Sequence, residues 1–425
     1  MMTRWKALAL PSALLLATPV VAQVEEGLIV QPAIPQNFGR DRNVSVQQQS
    51  RPDYDPLGIP LGSLNFFPGI EIGGGGDSNT YLTAKNRIAS AYLYQEASAR
   101  LISGWSRHSL QITGSTTQRE YIGQSQRNED LWTIDADGRL DIYDSLQVEG
   151  DANISRGFEN IFSGEVTPTV AALSRYRRNF GSIKTTYTQG RIRTFLLLDH
   201  ADFNFAPVPL RAGGEQSQSE RNRQITRLTG QIEYARTPSV SFFAQLGGSR
   251  TSFSQDLPSG LPNVDSKAVR FLGGVNVDIA QGIRGTVGLG YSIRNYDASA
   301  YKTVRGLSIE TQLQAFPTSR LTFGLTAQRT IEDATIGGYD PFRDTALSVT
   351  ADYEVLRNLI ISAAGYYSRQ SFLVEHTTSN VYGASASARF LVSRRISLRG
   401  ILNYGSSPSN SVSHTTIEVA AGYQL

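Results

Sequence analysis

The chain has 425 residues, with 40 Lys and Arg against 37 Asp and Glu, two methionines and no cysteine. A net charge of +3 is too small to indicate a nucleic-acid-binding face, and the lack of cysteine excludes a disulfide framework. This length would ordinarily hold about three domains, unless one large β-barrel takes up most of the chain.

The N-terminus has the pattern of a secretory signal. Arg4 and Lys6 precede a short apolar run at 7–17, and Val20-Val21-Ala22 places small residues before Gln23. This pattern predicts export and a cleaved signal peptide over residues 1–22. Its removal takes away two cations and no acid, so the net charge falls from +3 to +1. No later apolar run approaches the roughly 20 residues that a transmembrane helix needs.

The next segment, residues 23–62, is rich in Gln, Pro and Arg and shows neither a helical nor a strand period. We therefore predict a largely irregular, periplasmic N-terminal extension. The remainder, 63–425, forms a single predicted domain.

From about Phe66 onward, apolar and polar residues alternate with a period of two, which is typical of strands. In 132–142, for example, Trp132 and Ile134 share one face, while Asp135 and Asp137 share the other. These stretches are about twice as long as the roughly five or six residues of an average strand in a soluble protein. Short turns alternate with longer polar links along the chain.

These patterns predict an all-β fold, a transmembrane antiparallel outer-membrane β-barrel of about eighteen strands, with short periplasmic turns and longer extracellular loops. The apolar face of each strand would meet lipid and the polar face a water-filled lumen. The last residues support this, because Ile417, Val419, Ala421, Tyr423 and Leu425 alternate up to the C-terminus.

Charged and aromatic residues on the polar register are the predicted pore lining. Both signs occur, and most of these side chains are expected to be solvated or cross-paired between strands. They are Tyr92, Tyr94, Glu96, Arg100, Asp135, Asp137, Arg139, Glu149, Asp151, Lys184, Arg227, Arg270, Asp278, Arg294, Glu310, Asp352, Glu354 and Arg399. The two tyrosines have ring faces that could stack on sugars or pack against a loop or the N-terminal extension.

No pattern predicts an enzyme. The four histidines, His108, His200, His376 and His414, lie near no recognisable nucleophile motif. The zinc motif H-E-x-x-H and the serine motif G-x-S-x-G are both missing from the sequence. We therefore expect no catalytic, cofactor-binding or metal-binding residues.

One stretch resembles a known family. Arg51-Pro52-Asp53-Tyr54-Asp55-Pro56, then Gly58 and Gly62, Pro68, and Asp77-x-Asn79-x-Tyr81 are similar to the start of the β-barrel porin type 2 proteins of Gram-negative bacteria; residues 105–123 resemble that family's second hairpin. The resemblance implies an outer-membrane barrel and, because members are often associated with exopolysaccharide export, passage of a polymer. The run "GGGGDSN" departs from the family and predicts a flexible or bulged end of the first strand.

In general porins the third long loop folds into the pore, and by resemblance the link 159–173 is the constriction candidate here. The predicted constriction residues are Glu159, Glu165, Arg175, Arg177 and Arg178. Since successive strand residues face opposite ways, only some of the arginines can face the pore. Arginines that face the pore would attract an acidic polymer or an anion. The alternative is that they form a solvated ring of side chains or contact lipopolysaccharide phosphates.

Three functions stay open at this point. The first is a conduit of an exopolysaccharide export system, with periplasmic export components docked on the short turns or on residues 23–62. The second is a general small-solute porin without a partner. The third is a barrel plugged, for example, by its N-terminal segment, which serves as an assembly scaffold. Lipid and lipopolysaccharide of the outer membrane are expected partners, nucleic acid is not, and the oligomeric state is open.

Overall fold

The computed structural model describes residues 43–159, 173–210, 213–279, 282–334, 340–374 and 376–425. The predicted signal peptide and residues 23–42 of the extension lie outside these ranges. Across the described ranges the structure is almost entirely β, with four short 3-10 helices: Val46–Gln48, Ser125–Arg127, Ser219–Arg221 and Pro408–Asn410. A helix long and apolar enough to cross a membrane is not found in the described part of the chain.

Eighteen long strands form the barrel, and we number them in chain order. Strands β1 to β6 are Leu64–Asp77, Ser90–Ser103, Ser109–Tyr121, Glu129–Tyr143, Leu146–Phe158 and Arg175–Gln189. Strands β7 to β12 are Ile192–Phe205, Arg223–Thr237, Val240–Phe253, Ser266–Asp278, Ile283–Tyr296 and Val304–Thr318. Strands β13 to β18 are Leu321–Ala334, Asp340–Leu356, Leu359–Phe372, Thr378–Leu391, Ile396–Ser407 and Val412–Gln424.

Each strand pairs antiparallel with its neighbours in sequence, and the last strand closes onto the first. In the closing pair, Gly69 of β1 lies opposite Gln424 of β18, and Asp77 lies opposite Thr416. Closure leaves no free edge, so every strand can satisfy its backbone groups within the sheet. The predicted closed, antiparallel, eighteen-stranded barrel is confirmed.

The two ends of the barrel differ in the length of their connections. At one end strands join through tight turns such as 144–145 and 190–191, whereas the other end carries longer links such as 78–89 and 206–222. In outer-membrane barrels the short turns lie on the periplasmic side. At the end with the short turns, a short strand, Ile59–Leu61, pairs with the start of β1.

The outward face is apolar, as its alternation with the polar face requires. Side chains such as Ile72, Ile183 and Leu307 are 57%, 60% and 62% exposed. A continuous apolar surface around the barrel would be unfavourable in water but is favourable in contact with lipid. Tyrosines that can anchor such a barrel at the membrane interfaces share this face: Tyr291, Tyr353, Tyr404 and Tyr423.

The glycine run of β1 is regular strand, so the expectation of a bulged end is wrong. Residues 73–76 pair with both β2 and β18 without a shift in register. A Cβ atom added to Gly75 would lie 2.5 Å from the Tyr92 ring, and one added to Gly73 would lie 2.1 Å from the Val419 carbonyl oxygen. These glycines therefore allow a close approach where the barrel closes.

Candidate functional site: the lumen and its periplasmic mouth

The polar register of every strand faces the interior. On β4, exposed Ile134 and Leu140 point outward, so Asp135, Asp137 and Arg139 point inward. The same alternation places all eighteen predicted pore-lining residues on the inward register of their strands. Eighteen strands are enough to leave an aqueous channel between such walls.

An ion-pair cluster lies on the inner wall beside the closing seam. Arg399 of β17 is 2.8 Å from Glu71 of β1 and 3.1 Å from Glu418 of β18, so it ties the last strands to the first. Arg119 of β3 reaches the same Glu418 at 3.3 Å. Glu71, Arg119 and Glu418 were missed in the sequence analysis, although Glu418 stands between the outward residues Ile417 and Val419 and could have been found from that alternation.

The two predicted sugar-stacking tyrosines belong to this cluster. Tyr94 is only 2% exposed, and the guanidinium groups of Arg119 and Arg399 lie 5.4 Å and 5.1 Å from its ring centre. Its hydroxyl donates to Glu96 at 2.6 Å, and Tyr92 is 4% exposed. Arginine therefore occupies positions near the tyrosine ring where a sugar would stack.

On β4 to β6 the acids are held mainly by neighbouring side chains. Asp135 accepts hydrogen bonds from Asn153 at 2.6 Å and Thr133 at 3.0 Å. Glu149 accepts from Lys184 at 2.7 Å. In this part of the wall, side chains of the wall itself therefore hydrogen-bond to the acids.

Asp137 and Asp151 occupy directly opposed positions on β4 and β5. Two facing carboxylates repel when both are ionised, and the two side chains lie within hydrogen-bonding distance of each other.

Farther round, three arginines surround a small cavity of about 70 Å³ on the inner wall of β8 to β13. Arg227 is 2.7 Å from Asp199 and Arg270 is 2.8 Å from Glu310. Arg294 is 3% exposed and donates to the Ile331 carbonyl at 3.0 Å. Because Arg227 and Arg270 each have a carboxylate partner, this wall carries little uncompensated charge.

The extension enters the barrel at its periplasmic mouth, where residues 43–56 form a segment that we call the collar. Asn43 donates to Asp278 of β10 at 2.9 Å, and the Val46 N–H donates to Thr322 of β13 at 3.0 Å. Gln47 donates to Asp352 of β14 at 2.8 Å. Predicted lumen acids are therefore partners of the chain's own N-terminal segment.

A buried ion pair holds the middle of the collar. Arg51 is 2.9 Å from Glu354, and the two side chains are only 6% and 3% exposed. Arg51 also donates to the Val46 carbonyl at 2.8 Å, so one guanidinium joins the wall to the collar's single turn of 3-10 helix. Burial of this pair is favourable only because both charges are hydrogen-bonded.

The collar follows the wall in strand order. Its contacts run from β10 through β13 and β14, and Arg394 in the turn after β16 donates to the Pro52 carbonyl at 3.0 Å. Residues 59–61 then join β1. The described segment thus lies along one half of the rim instead of crossing the diameter of the barrel.

The predicted constriction residues are dispersed by the structure. Arg178 faces the lumen, 4.7 Å from the Phe180 ring centre. Arg175 and Arg177 share the outward register of exposed Ile183, so placing them in the pore was wrong, since a strand sends alternate residues to opposite faces.

Glu159 is held in place at the extracellular end. It forms a buried ion pair with Arg221, whose guanidinium lies 4.1 Å from the Phe205 ring centre. Glu165 and residues 160–172 lie outside the described residues.

Comparison with known structures finds other large barrels at low sequence identity. "Copper transporter OprC" is 10% identical, with a TM-score of 0.50, covering 86% of this chain and 82% of that one. A "BenF-like porin from Pseudomonas fluorescens Pf-5" is 10% identical with a TM-score of 0.47, covering 86% and 99%. The "outer membrane protein opdK from Pseudomonas aeruginosa" is 11% identical with a TM-score of 0.43, covering 85% and 99%. The similarity to OprC concerns the fold alone.

No curated protein matches the chain. Comparison with protein families gives a match to the family described as "Putative beta-barrel porin 2" over residues 51–424. Family and fold point to a channel rather than an enzyme, and to the outer membrane as its location. Since the match covers most of the sequence, the chain belongs to this beta-barrel porin 2 family of outer-membrane proteins.

Proposed function

We propose that the protein is a passive pore for small polar solutes, whose periplasmic mouth is narrowed on one side by the collar. The observation that carries the proposal is the inner wall, which presents polar and charged side chains of both signs around a closed barrel of eighteen strands. Such a wall keeps water in the lumen, and mixed charge admits polar solutes without strong preference for one sign.

A small solute fits this wall better than a polymer. Tyr92 and Tyr94, the inward rings predicted to stack on sugars, are buried, with Arg119 near both rings and Arg399 near that of Tyr94. The collar occupies part of the mouth and is anchored by the buried pair of Arg51 and Glu354. Because the collar lies along the rim, it supports a narrowed pore more than a plugged scaffold.

An exopolysaccharide conduit is the second candidate, implied by the family resemblance. What favours it is the position of the collar, at the periplasmic mouth that an export component would contact. In that case the collar would have to be displaced during export, because a polymer needs the full mouth.

The test is single-channel conductance of the purified, refolded mature protein in a planar bilayer, together with swelling of liposomes in sugars of increasing size. We expect a stable conductance and entry of small sugars but not of polysaccharide. A correctly folded, heat-modifiable barrel without conductance would refute the pore. Block by acidic polysaccharide, combined with lost secretion in cells lacking the protein, would favour the conduit.

A further inference from the structure

A cluster of arginines lies on the outer wall of the barrel, where β4, β5 and β6 approach the extracellular side. Arg156 of β5 lies directly opposite Trp132 on one neighbouring strand and opposite Arg177 on the other. All three share the outward register of exposed Ile134 and Ile183. Arg175 precedes Arg177 by two residues on the same strand and therefore projects to the same side.

The cluster has more positive charge than the protein neutralises. Asp130 contacts both Arg156 and Arg175, the latter at 3.8 Å, and these side chains are 36% to 48% exposed. Among the described residues Arg177 has no carboxylate partner. Within ion-pair distance, three arginines thus share one acid, since the carboxylate of Asp202 on the neighbouring strand accepts from Asn204 and Gln224 instead. Arg156 and Arg177 are directly opposed, which is destabilising unless an anion lies between them.

The height of the cluster matches the outer edge of the membrane. Arg156 is ten residues beyond Leu146, which follows the tight turn at 144–145. With about 3.3 Å per residue and a strand tilt of about 40°, that distance corresponds to roughly 25 Å along the membrane normal, the height of the apolar band of such barrels. The guanidinium of Arg156 also lies 5.9 Å from the Trp132 ring centre, which suits an interfacial tryptophan.

We propose that Arg156, Arg175 and Arg177 bind the phosphate groups of a lipopolysaccharide molecule in the outer leaflet. A guanidinium group can donate two parallel hydrogen bonds to the oxygens of one phosphate. Each phosphate also brings the negative charge that the cluster lacks. Trp132 lies at the boundary between the acyl chains and the headgroup. Asp130 holds Arg156 and Arg175 in place, so these side chains lose less conformational entropy when phosphate binds.

A second group of charged side chains faces outward at the same end of the barrel, but its ratio of cations to acids is lower. There, Arg250 and Lys267 share Asp297 at 3.7 Å each, and only two cations face one acid. Arg250 is 59% exposed and therefore provides a matched control position.

The test is binding of fluorescent lipid A to the full mature protein, refolded in detergent and checked for heat-modifiable mobility. We expect R156Q/R175Q/R177Q to bind about tenfold or more weakly, because several charge-assisted hydrogen bonds are lost. Arg250→Gln should bind like the wild type. The variant R156K/R175K/R177K keeps the charge but loses the paired geometry, and we expect intermediate binding.

Three probes separate the possible ligands. Lipid A should bind, dephosphorylated lipid A should not, and phosphatidylglycerol should compete only weakly. Equal binding by the glutamine variant, or by dephosphorylated lipid A, would overturn the proposal. Equal competition by phosphatidylglycerol would also overturn it, since the cluster would then recognise any lipid phosphate.

Discussion

The acidic residues on the two halves of the periplasmic rim have different kinds of partner. On the half formed by β10 to β15, Asp278, Asp352 and Glu354 are paired with side chains of the collar. On the half formed by β4 to β8, acids pair within the wall itself: Glu149 with Lys184, and Glu233 with Arg193.

This difference divides the rim into a half that depends on the extension and a half that does not. If the collar leaves, the first half exposes three carboxylates to the lumen, whereas the second half keeps its own cations. Conductance and ion selectivity should therefore respond to the collar, while changes in the self-paired half should act on stability instead.

Deletion of residues 23–56 should have the largest effect. We expect single-channel conductance to rise by about a factor of two or more, because conductance grows with the open cross-section. Cation selectivity should increase as Asp278, Asp352 and Glu354 lose their partners in the collar. The measurement is conductance and reversal potential in a salt gradient. Unchanged values would show that the collar does not restrict the mouth.

Arg51→Ala should act in the same direction with the chain intact. Loss of the hydrogen-bonded ion pair with Glu354 should weaken docking of the collar by about 2 kcal/mol, or roughly thirtyfold in the equilibrium between docked and released states. We expect intermittent steps to a higher conductance. Arg357→Ala is the matched control, since Arg357 contacts the same Glu354 at 3.6 Å but is 69% exposed.

A crosslink can sharpen that result. The backbone nitrogen of Val46 is 3.0 Å from the hydroxyl oxygen of Thr322, which places the two Cα atoms within about 7 Å. Since the chain has no cysteine, V46C/T322C introduces the only thiols. In R51A, oxidation of this pair should abolish the high-conductance steps and reduction should restore them; persistence of the steps after oxidation would assign them to another element.

Arg193→Ala should affect stability on the self-paired half. Glu233 is fully buried, so removal of its cation should lower the free energy of unfolding by about 3 kcal/mol while conductance stays close to that of the wild type. The measurement is the urea midpoint in detergent. A rise in conductance instead would remove the distinction between the two halves.

Lys184→Gln should have the smallest effect. Glu149 is already 39% exposed, so water replaces much of the lost interaction, and stability should change by less than about 0.5 kcal/mol. We expect only a slight shift toward cations in the reversal potential. A change as large as that of Arg193→Ala would mean that the pair is far less hydrated than its exposure indicates.

The sequence predicts those features that depend on local order. Strand number and the inward placement of residues such as Asp135 follow from alternation with period two. The same alternation limits how many of the predicted arginines can face the pore, but the structure was needed to show that Arg175 and Arg177 face outward. The collar could not be predicted in this way. Arg51 and Glu354 meet across 303 residues of sequence, and no local period reports on such a contact.

The closing seam has an evolutionary consequence. Because the ring of Tyr92 fills the space in which a side chain at Gly75 would lie, and the backbone of β18 fills that at Gly73, natural variation should be restricted at these two positions. At Gly76 the nearest atom is 4.0 Å away, so small residues should be tolerated there. Across related genomes, the four-glycine run should therefore diverge at its last position and persist at its first and third.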